Sequence, residues 1–167
     1  MQVARPKRMP WHHRRFARVT HWVAPSQTMA NQALAQTPLR PDQVSVIPLA
    51  LEPEWFEAPA ADARVHWQWP AEARVVGVFG RLDPLKGQAD LLRALVDLPE
   101  WNGWFIGEST VNEAGDYRME LERLARELGV DHRVRFDPPT EDLRSAYDAL
   151  DAFAMCSASE TFGMVTL

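Results

Sequence analysis

Residues 75–87, which read VVGVFGRLDPLKG, carry the strongest indication of the fold. The first five of these residues form a nearly continuous apolar run, which is typical of a parallel strand covered on both faces. The next eight form a loop in which Gly80 and Gly87 bracket two cations, Arg81 and Lys86. Glycine lets the backbone approach a ligand closely, and an arginine fork, an ammonium and a helix amino terminus all favour an anion. The stretch therefore predicts a buried strand leading into a phosphate or diphosphate site, with two solvated surface charges as the alternative.

The rest of the chain after residue 70 alternates between strands and helices. The predicted elements are a strand at 75–79, a helix at 89–98, a strand at 104–106, a helix at 117–128 with Gly129 as its carboxyl cap, a strand at 134–136, a helix capped by Thr140, and a strand at 152–156. Four strands separated by helices predict an α/β fold with a Rossmann-like parallel sheet and helices on both faces. Ligands of such sheets bind beyond the carboxyl ends of the strands.

The first 70 residues follow a different pattern. Short strands at 19–24 and 44–47 flank a helix that begins after Ser26. Residues 51–70 contain three prolines and several aromatic side chains, which we expect to pack against a neighbouring surface. We therefore predict an amino-terminal portion over 1–50, a linker over 51–70 and the α/β domain over 71–167.

Composition excludes several classes of protein. The 167 residues are 46% hydrophobic and 25% charged, with a net charge of −5, which excludes collagen-like, disordered and coiled-coil chains. The single cysteine excludes an internal disulfide framework. No apolar run approaches the roughly 18 residues of a membrane span. The histidines near the amino end have no cysteine or acid at ligand spacing, so we expect no metal site.

The positive charge is concentrated at the amino end. Residues 1–41 carry seven basic side chains and no acid. This pattern fits a solvated face, a surface for an anionic lipid or substrate, or a targeting segment. Prolines in the segment oppose the long amphipathic helix of a transit peptide, and no nucleic-acid-binding motif accompanies the charge. We therefore expect no nucleic-acid partner.

Residues 157–165, SASETFGMV, form a second candidate ligand-binding loop. A carboxylate among small residues, here Glu160, can accept hydrogen bonds from sugar hydroxyls, and exposed backbone N–H groups at 163–165 can hold an anion. A solvated or helix-capping acid is the alternative for Glu160.

Together these strings resemble the retaining glycosyltransferases of family 4, which have the GT-B fold. Residues 80–87 are similar to the phosphate-binding loop of that family, and residues 159–165 to its motif of two glutamates separated by seven residues. Residues 120–136 and 149–153 are also similar and stand in the same order. The second glutamate of the motif would be residue 168. We therefore expect a fragment, with a remnant of the acceptor domain at 1–50 and an incomplete nucleotide-sugar-binding domain at 71–167.

The resemblance implies retaining transfer of a hexose from a UDP- or GDP-sugar to a saccharide or lipid-linked acceptor, without an obligatory metal or other cofactor. It implies that Arg81 and Lys86 grip the donor diphosphate and that Glu160 binds the donor sugar, these three forming the catalytic set. The further donor-binding residues that it implies are Gly80, Phe162, Gly163, Met164 and Val165. It places the nucleobase near Phe136 and Thr140, although Pro138 and Pro139 replace the usual glycine there.

The resemblance also implies a role in polysaccharide or lipopolysaccharide biosynthesis. We expect a cytoplasmic protein that associates peripherally with the inner face of the membrane through its basic amino-terminal region. Two alternatives stay open: a catalytically silent nucleotide- or nucleotide-sugar-binding module, and a related GT-B nucleotide-sugar epimerase. If the chain acts alone, without the remainder of the fold, we expect it to be inactive.

Overall fold

A computed structural model describes residues 9–51, 53–56, 62–112 and 115–158 of the protein. The chain divides into two compact units with a boundary between Glu52 and Pro53. Unit 1 contains the described residues 9–51, and unit 2 contains those from 53 to 158.

Unit 1 is a small α/β arrangement with two short parallel strands. Its elements are helix α1 (Pro10–Phe16), strand β1 (Trp22–Ala24), helix α2 (Gln27–Gln36) and strand β2 (Val44–Val46). The predicted start of α2 is confirmed, because Ser26 Oγ accepts a hydrogen bond from Met29 N at 3.2 Å. Helix α1 was not predicted: Pro10 occupies its first position, where the missing N–H has no helical partner to lose.

Unit 2 is built on a four-stranded parallel sheet. Its elements are α3 (Ala63–His66), β3 (Arg74–Phe79), α4 (Gln88–Val96), β4 (Trp101–Ile106), β5 (Val111–Asn112), β6 (Gly115–Asp116), α5 (Tyr117–Glu127), β7 (Val134–Asp137), α6 (Leu143–Asp148) and β8 (Ala152–Phe153). The strand order is β7-β4-β3-β8, and every neighbouring pair is parallel. The predicted Rossmann-like α/β fold is therefore confirmed. Strands β5 and β6 form an antiparallel hairpin that the sequence pattern did not predict.

The sheet separates two apolar layers. On one face, Val76 and Val78 of β3 pack with the buried leucines of α4 and α5. On the other face, Val75, Phe79 and the fully buried Trp104 pack with α3 and α6. Side chains of β3 alternate between the two layers because successive residues of a strand point to opposite faces. This explains why residues 75–79 are apolar without interruption.

The last two elements differ from the sequence prediction. Thr140 is not the amino cap of α6; the cap is Asp142, whose Oδ1 accepts from Ser145 N at 3.4 Å. The Thr140 hydroxyl instead accepts from Asp142 N at 3.0 Å in a local turn. Serine and threonine form such turns readily, and here the turn delays the helix by two residues. The predicted strand at 152–156 is also shorter, because only Ala152 and Phe153 pair with β3.

Candidate functional site

The loop that follows β3 is hydrogen-bonded to the loop that follows β4. Gly80 N donates to Ile106 O at 2.8 Å, Leu82 N donates to Glu108 O at 2.8 Å, and Thr110 N donates to Leu82 O at 2.9 Å. The Leu82 side chain is fully buried and anchors the loop in the apolar layer beneath it. These backbone bonds continue the β3–β4 pairing past the end of the sheet, so both loops leave the carboxyl edge together.

Two glycines allow these loops to pack closely. A Cβ atom on Gly107 would lie 1.9 Å from the carbonyl oxygen of Gly80. A Cβ atom on Gly87, which has a φ of +70°, would lie 2.1 Å from the carbonyl oxygen of Cys156. Leu85 O also accepts a hydrogen bond from Ala158 N at 2.9 Å. The loops that follow β3, β4 and β8 are thus in direct backbone contact.

The predicted cations stand on this framework. Arg81 directly follows Gly80, and its side chain is 63% exposed. Lys86 ends a single 3-10 turn, Pro84–Lys86, and Gly87 is the amino-terminal cap residue of α4, which has no side-chain cap bond. The positive end of the α4 dipole therefore lies next to Lys86 in the chain. This arrangement offers a guanidinium, an ammonium and a helix amino terminus to an anion.

Gln88 is a supporting residue that the sequence analysis did not identify. It is fully buried at the first position of α4, and its Nε2 donates to Arg81 O at 2.9 Å. The bond holds the backbone that carries the guanidinium. A signal was present in the sequence, because a glutamine at the start of an amphipathic helix directly follows the glycine-bracketed loop.

A cavity of about 270 Å³ opens beside Arg81. It is lined by the loops after β3, β4 and β7 and by the start of α6: Gly80, Arg81, Ile106, Gly107, Glu108, Pro139, Thr140 and Leu143. The structure therefore brings together three predicted site residues, Gly80, Arg81 and Thr140. It adds Glu108 to the same wall, with Pro139 and Leu143 supplying apolar surface.

Phe136, predicted near the nucleobase, does not line this cavity. Its ring stacks on Phe105 with centroids 4.9 Å apart, in the layer formed with α4 and α5. Its carbonyl oxygen accepts from Arg118 Nη2 at 3.2 Å. The alternation of β7 directs residue 136 away from the face on which Thr140 lines the cavity.

The hairpin β5–β6 stabilises the loop after β4. The Ser109 hydroxyl donates to Asp116 Oδ1, and Arg118 N donates to both Ser109 Oγ at 3.0 Å and Asp116 Oδ1 at 2.9 Å. The hydrogen bond from Ser109 is the main reason why the pKa of Asp116 lies below its ordinary value. Asp116 therefore caps α5 and holds the Ser109 hydroxyl.

Several predicted features lie outside the described residues. These are Glu160, Phe162, Gly163, Met164 and Val165. Within residues 9–51, 53–56, 62–112 and 115–158, no group of three or more histidine, cysteine or acidic side chains is placed to hold a metal ion. No helix in this described part has the length and apolar character needed to cross a membrane.

Comparison with known proteins identifies relatives of this chain. The family model "Glycosyl transferases group 1" matches residues 60–167. D-inositol 3-phosphate glycosyltransferase of Corynebacterium efficiens is 36% identical over 143 residues, covering 76% of this chain and 32% of that protein. The lipopolysaccharide core biosynthesis glycosyltransferase LpsE of Rhizobium meliloti is 39% identical over 98 residues, covering 59% of this chain and 27% of that protein.

A solved structure agrees with these matches. HepE of Anabaena, crystallised with UDP and glucose, superposes with a TM-score of 0.76 at 27% identity, covering 85% of this chain and 39% of that one. The chain thus spans about a third of the length of the curated relatives, 32% and 27% for the two above. The family model covers well over half of the residues, and the parallel sheet agrees with the GT-B neighbours. The chain belongs to the group 1 glycosyltransferases.

Proposed function

We propose that this chain carries the donor half-site of a retaining hexosyltransferase that uses a nucleoside diphosphate sugar. The observation that carries the proposal is the placement of Arg81 at the wall of the 270 Å³ cavity, with Lys86 and the α4 amino terminus on the same loop. The UDP complex of Anabaena HepE supports a uridine nucleotide as the donor carrier. In this proposal the donor is a UDP-hexose, and a GDP-hexose is the second choice.

Arg81 and Lys86 act on the leaving group. As the bond between the anomeric carbon and the diphosphate breaks, negative charge accumulates on the phosphate oxygens. A guanidinium and an ammonium held in place before the reaction stabilise that charge without reorganising. Because these cations supply the positive charge, no divalent metal is required. The nucleobase occupies the cavity between Gly107 and Leu143, whose lining combines apolar surface with the Glu108 and Thr140 side chains.

Glu160 and the backbone of 162–165 complete the proposal. The Glu160 carboxylate accepts hydrogen bonds from donor-sugar hydroxyls, and the backbone N–H groups at Phe162, Gly163, Met164 and Val165 hold the sugar or the distal phosphate. Leu85 O in the phosphate loop accepts a hydrogen bond from Ala158 N, and Ala158 precedes Glu160 by two residues in the sequence. A saccharide or lipid-linked acceptor, and contact of the basic amino-terminal region with a membrane surface, belong to the same proposal.

Calorimetry with UDP tests the assignment. Arg81→Ala and Lys86→Ala should each weaken UDP binding by roughly 1–3 kcal/mol, the range for a hydrogen bond to a charged group. Arg93→Ala is the matched control, because Arg93 lies on α4, is 59% exposed and pairs with Asp90 at 3.0 Å. It removes the same charge outside the loop and should leave UDP affinity within about twofold. Equal UDP affinity in the wild type and both loop variants would falsify the proposal.

The release of glucose from UDP-glucose separates transfer from silent binding. A transferase site releases or transfers the sugar, whereas a nucleotide-binding module binds UDP and leaves UDP-glucose intact. Binding without any turnover, in a preparation that contains the remainder of the fold, would favour the module.

A further inference from the structure

We propose that Asp83 is a positioning residue that sets the geometry of both cations for the donor diphosphate. The inference rests on the proposed function, because it concerns how the same loop is held. Asp83 lies between Arg81 and Lys86 in the loop, and its carboxylate contacts the parts of the loop that carry each of them. It also contacts the neighbouring loop after β4.

Within the described part of the chain, the Asp83 carboxylate contacts Leu85, Thr110 and Arg81. Its Oδ1 accepts from Leu85 N at 2.9 Å, which closes the 3-10 turn that carries Lys86. Its Oδ2 accepts from the Thr110 hydroxyl at 3.3 Å and lies 3.5 Å from Arg81 Nε. The Asp83 carbonyl also accepts from Lys86 N at 2.8 Å. One residue therefore bonds the Arg81 side chain, the Lys86 turn and the loop after β4.

Burial separates Asp83 from an ordinary surface acid. Its side chain is 15% exposed, whereas that of Arg81 is 63% exposed. The carboxylate faces inward, where an unpaired charge would be unfavourable, and its bonds satisfy it. Since a guanidinium has five N–H donors in a planar fork, an ion pair at Nε orients Arg81 while other donors face a phosphate.

Electrostatics alone predicts the opposite effect of removing this charge. A carboxylate beside the cations repels a diphosphate and reduces the positive potential of the loop. If Asp83 acted only through its charge, Asp83→Asn would therefore strengthen UDP binding. If it positions Arg81 and Lys86, the same substitution weakens UDP binding even though a negative charge has been removed. The sign of the change distinguishes the two roles.

The experiment measures UDP and uridine affinity in the full chain. For Asp83→Ala we expect UDP affinity to fall roughly fivefold to twentyfold, with uridine affinity unchanged, since uridine has no phosphate to reach the cations. For Asp83→Asn we expect a smaller loss, because the amide oxygen still accepts from Leu85 N while the attraction to Arg81 is gone. Thr110→Val removes the hydrogen bond between Asp83 and the loop after β4, and it should also weaken UDP binding.

Asp90→Asn is the matched control. Asp90 lies in the first turn of α4, is 72% exposed and pairs with Arg93. Asp90→Asn removes one negative charge near the loop, but Asp90 makes no bond to Arg81 or Lys86. UDP affinity should therefore stay the same or rise slightly. Thermal unfolding of each variant identifies any that fail to fold, in which case Asp83→Asn and Thr110→Val decide the question.

The results distinguish a failure of this positioning role from a failure of the proposed function. If Arg81→Ala binds UDP as the wild type does, the diphosphate site itself is wrong. If Arg81→Ala weakens UDP binding but Asp83→Asn tightens it or leaves it unchanged, only the positioning role is overturned. Equal losses of UDP and uridine affinity in folded Asp83→Ala also overturn it, because a general distortion would then explain the effect.

Discussion

The Arg135 guanidinium lies against three tryptophan rings of unit 2. The guanidinium carbon lies 5.3 Å from the ring centre of Trp104, 5.7 Å from that of Trp69 and 6.0 Å from that of Trp67. It pairs with Asp137 and donates to Trp67 O at 2.6 Å. Trp104 Nε1 donates to the same Asp137 carboxylate at 2.7 Å. This cluster fastens the segment after α3 to β7, just ahead of the loop that lines the cavity.

Removal of the Arg135 guanidinium should destabilise unit 2. Arg135→Ala loses the ion pair, the bond to Trp67 O and the ring contacts, and should lower the free energy of unfolding by about 2–3 kcal/mol. Urea denaturation followed by tryptophan fluorescence measures the change. Arg123→Ala is the control: Arg123 is 65% exposed and pairs with Glu127 on the surface of α5, so the loss of stability should remain below about 0.5 kcal/mol. Similar losses for both variants would contradict the role assigned to the cluster.

For single residues, the sequence predicted which side chains are packed, but not which residues they contact. The aromatic residues of 51–70 were expected to pack, and Trp67 and Trp69 do pack on Trp104. Arg135 was not identified, because its partner Trp67 is 68 residues away in the chain. The resemblance implies a nucleobase near Phe136, and the structure adds that its ring packs on Phe105 and does not line the cavity.

Gly87 joins three elements, because it follows the 3-10 turn Pro84–Lys86, caps the amino end of α4 and lies against the backbone after β8. Its φ is +70°, and the position of a Cβ atom is 2.1 Å from Cys156 O. Gly129, at the end of α5, has nearly the same φ of +71° but has nothing within 4 Å of a Cβ. The two glycines therefore differ in surrounding space and not in φ.

The pair gives a controlled test of how closely these loops must pack. Gly129→Ala pays only for the left-handed conformation and should lower the free energy of unfolding by about 1 kcal/mol. Gly87→Ala must also displace the backbone after β8 and should lower it by about 3 kcal/mol. Chemical denaturation gives both values, and only Gly87→Ala should weaken UDP binding. Comparable losses in the two variants would show that the space around Gly87 can relax.

The elements themselves were largely predictable where the pattern is long. Helix α5 was expected from its apolar spacing, and the structure confirms it over Tyr117–Glu127. The cap residue is Leu128, one position before the predicted Gly129, which follows with a φ of +71°. The strands of the hairpin β5–β6 have two residues each, too few to show alternation. Helix α6 begins later than expected because Thr140 forms a local turn ahead of Asp142, and both residues are acceptable caps in a sequence.

The whole of unit 2 is organised by a sheet with an apolar layer on each side. Tyr147 of α6 belongs to the layer that contains Trp104, and its ring lies 4.9 Å from that of Phe79 and 5.2 Å from that of Phe153. Burial in this layer raises the pKa of Tyr147 to about 12. The phenol is therefore held in its neutral form by the packing of the sheet.

This packing predicts a loss of stability in alkali. In the unfolded chain Tyr147 ionises near pH 10, whereas in the folded protein it keeps its proton until about pH 12. The folded state therefore binds more protons in this interval, and the free energy of unfolding should fall as pH rises from 10 towards 12. Urea denaturation between pH 8 and 11.5 measures the slope. Tyr147→Phe should show a shallower fall; identical slopes would contradict the assignment.

The strand at 75–79, the helix before Gly129 and the cationic loop were predictable from the amino-acid sequence. Each depends on spacing, capping or composition within a few residues, where chain connectivity already restricts the geometry. The parallel sheet was predictable from the alternation of strands and helices along the chain. The partners of these residues, in contrast, are known only from the tertiary structure. Asp83 meets Thr110 across 27 residues, and Arg135 meets Trp67 across 68. Such contacts depend on strand register and on the side of the sheet to which each helix packs. Residues distant in the chain are brought together only when the sheet is assembled.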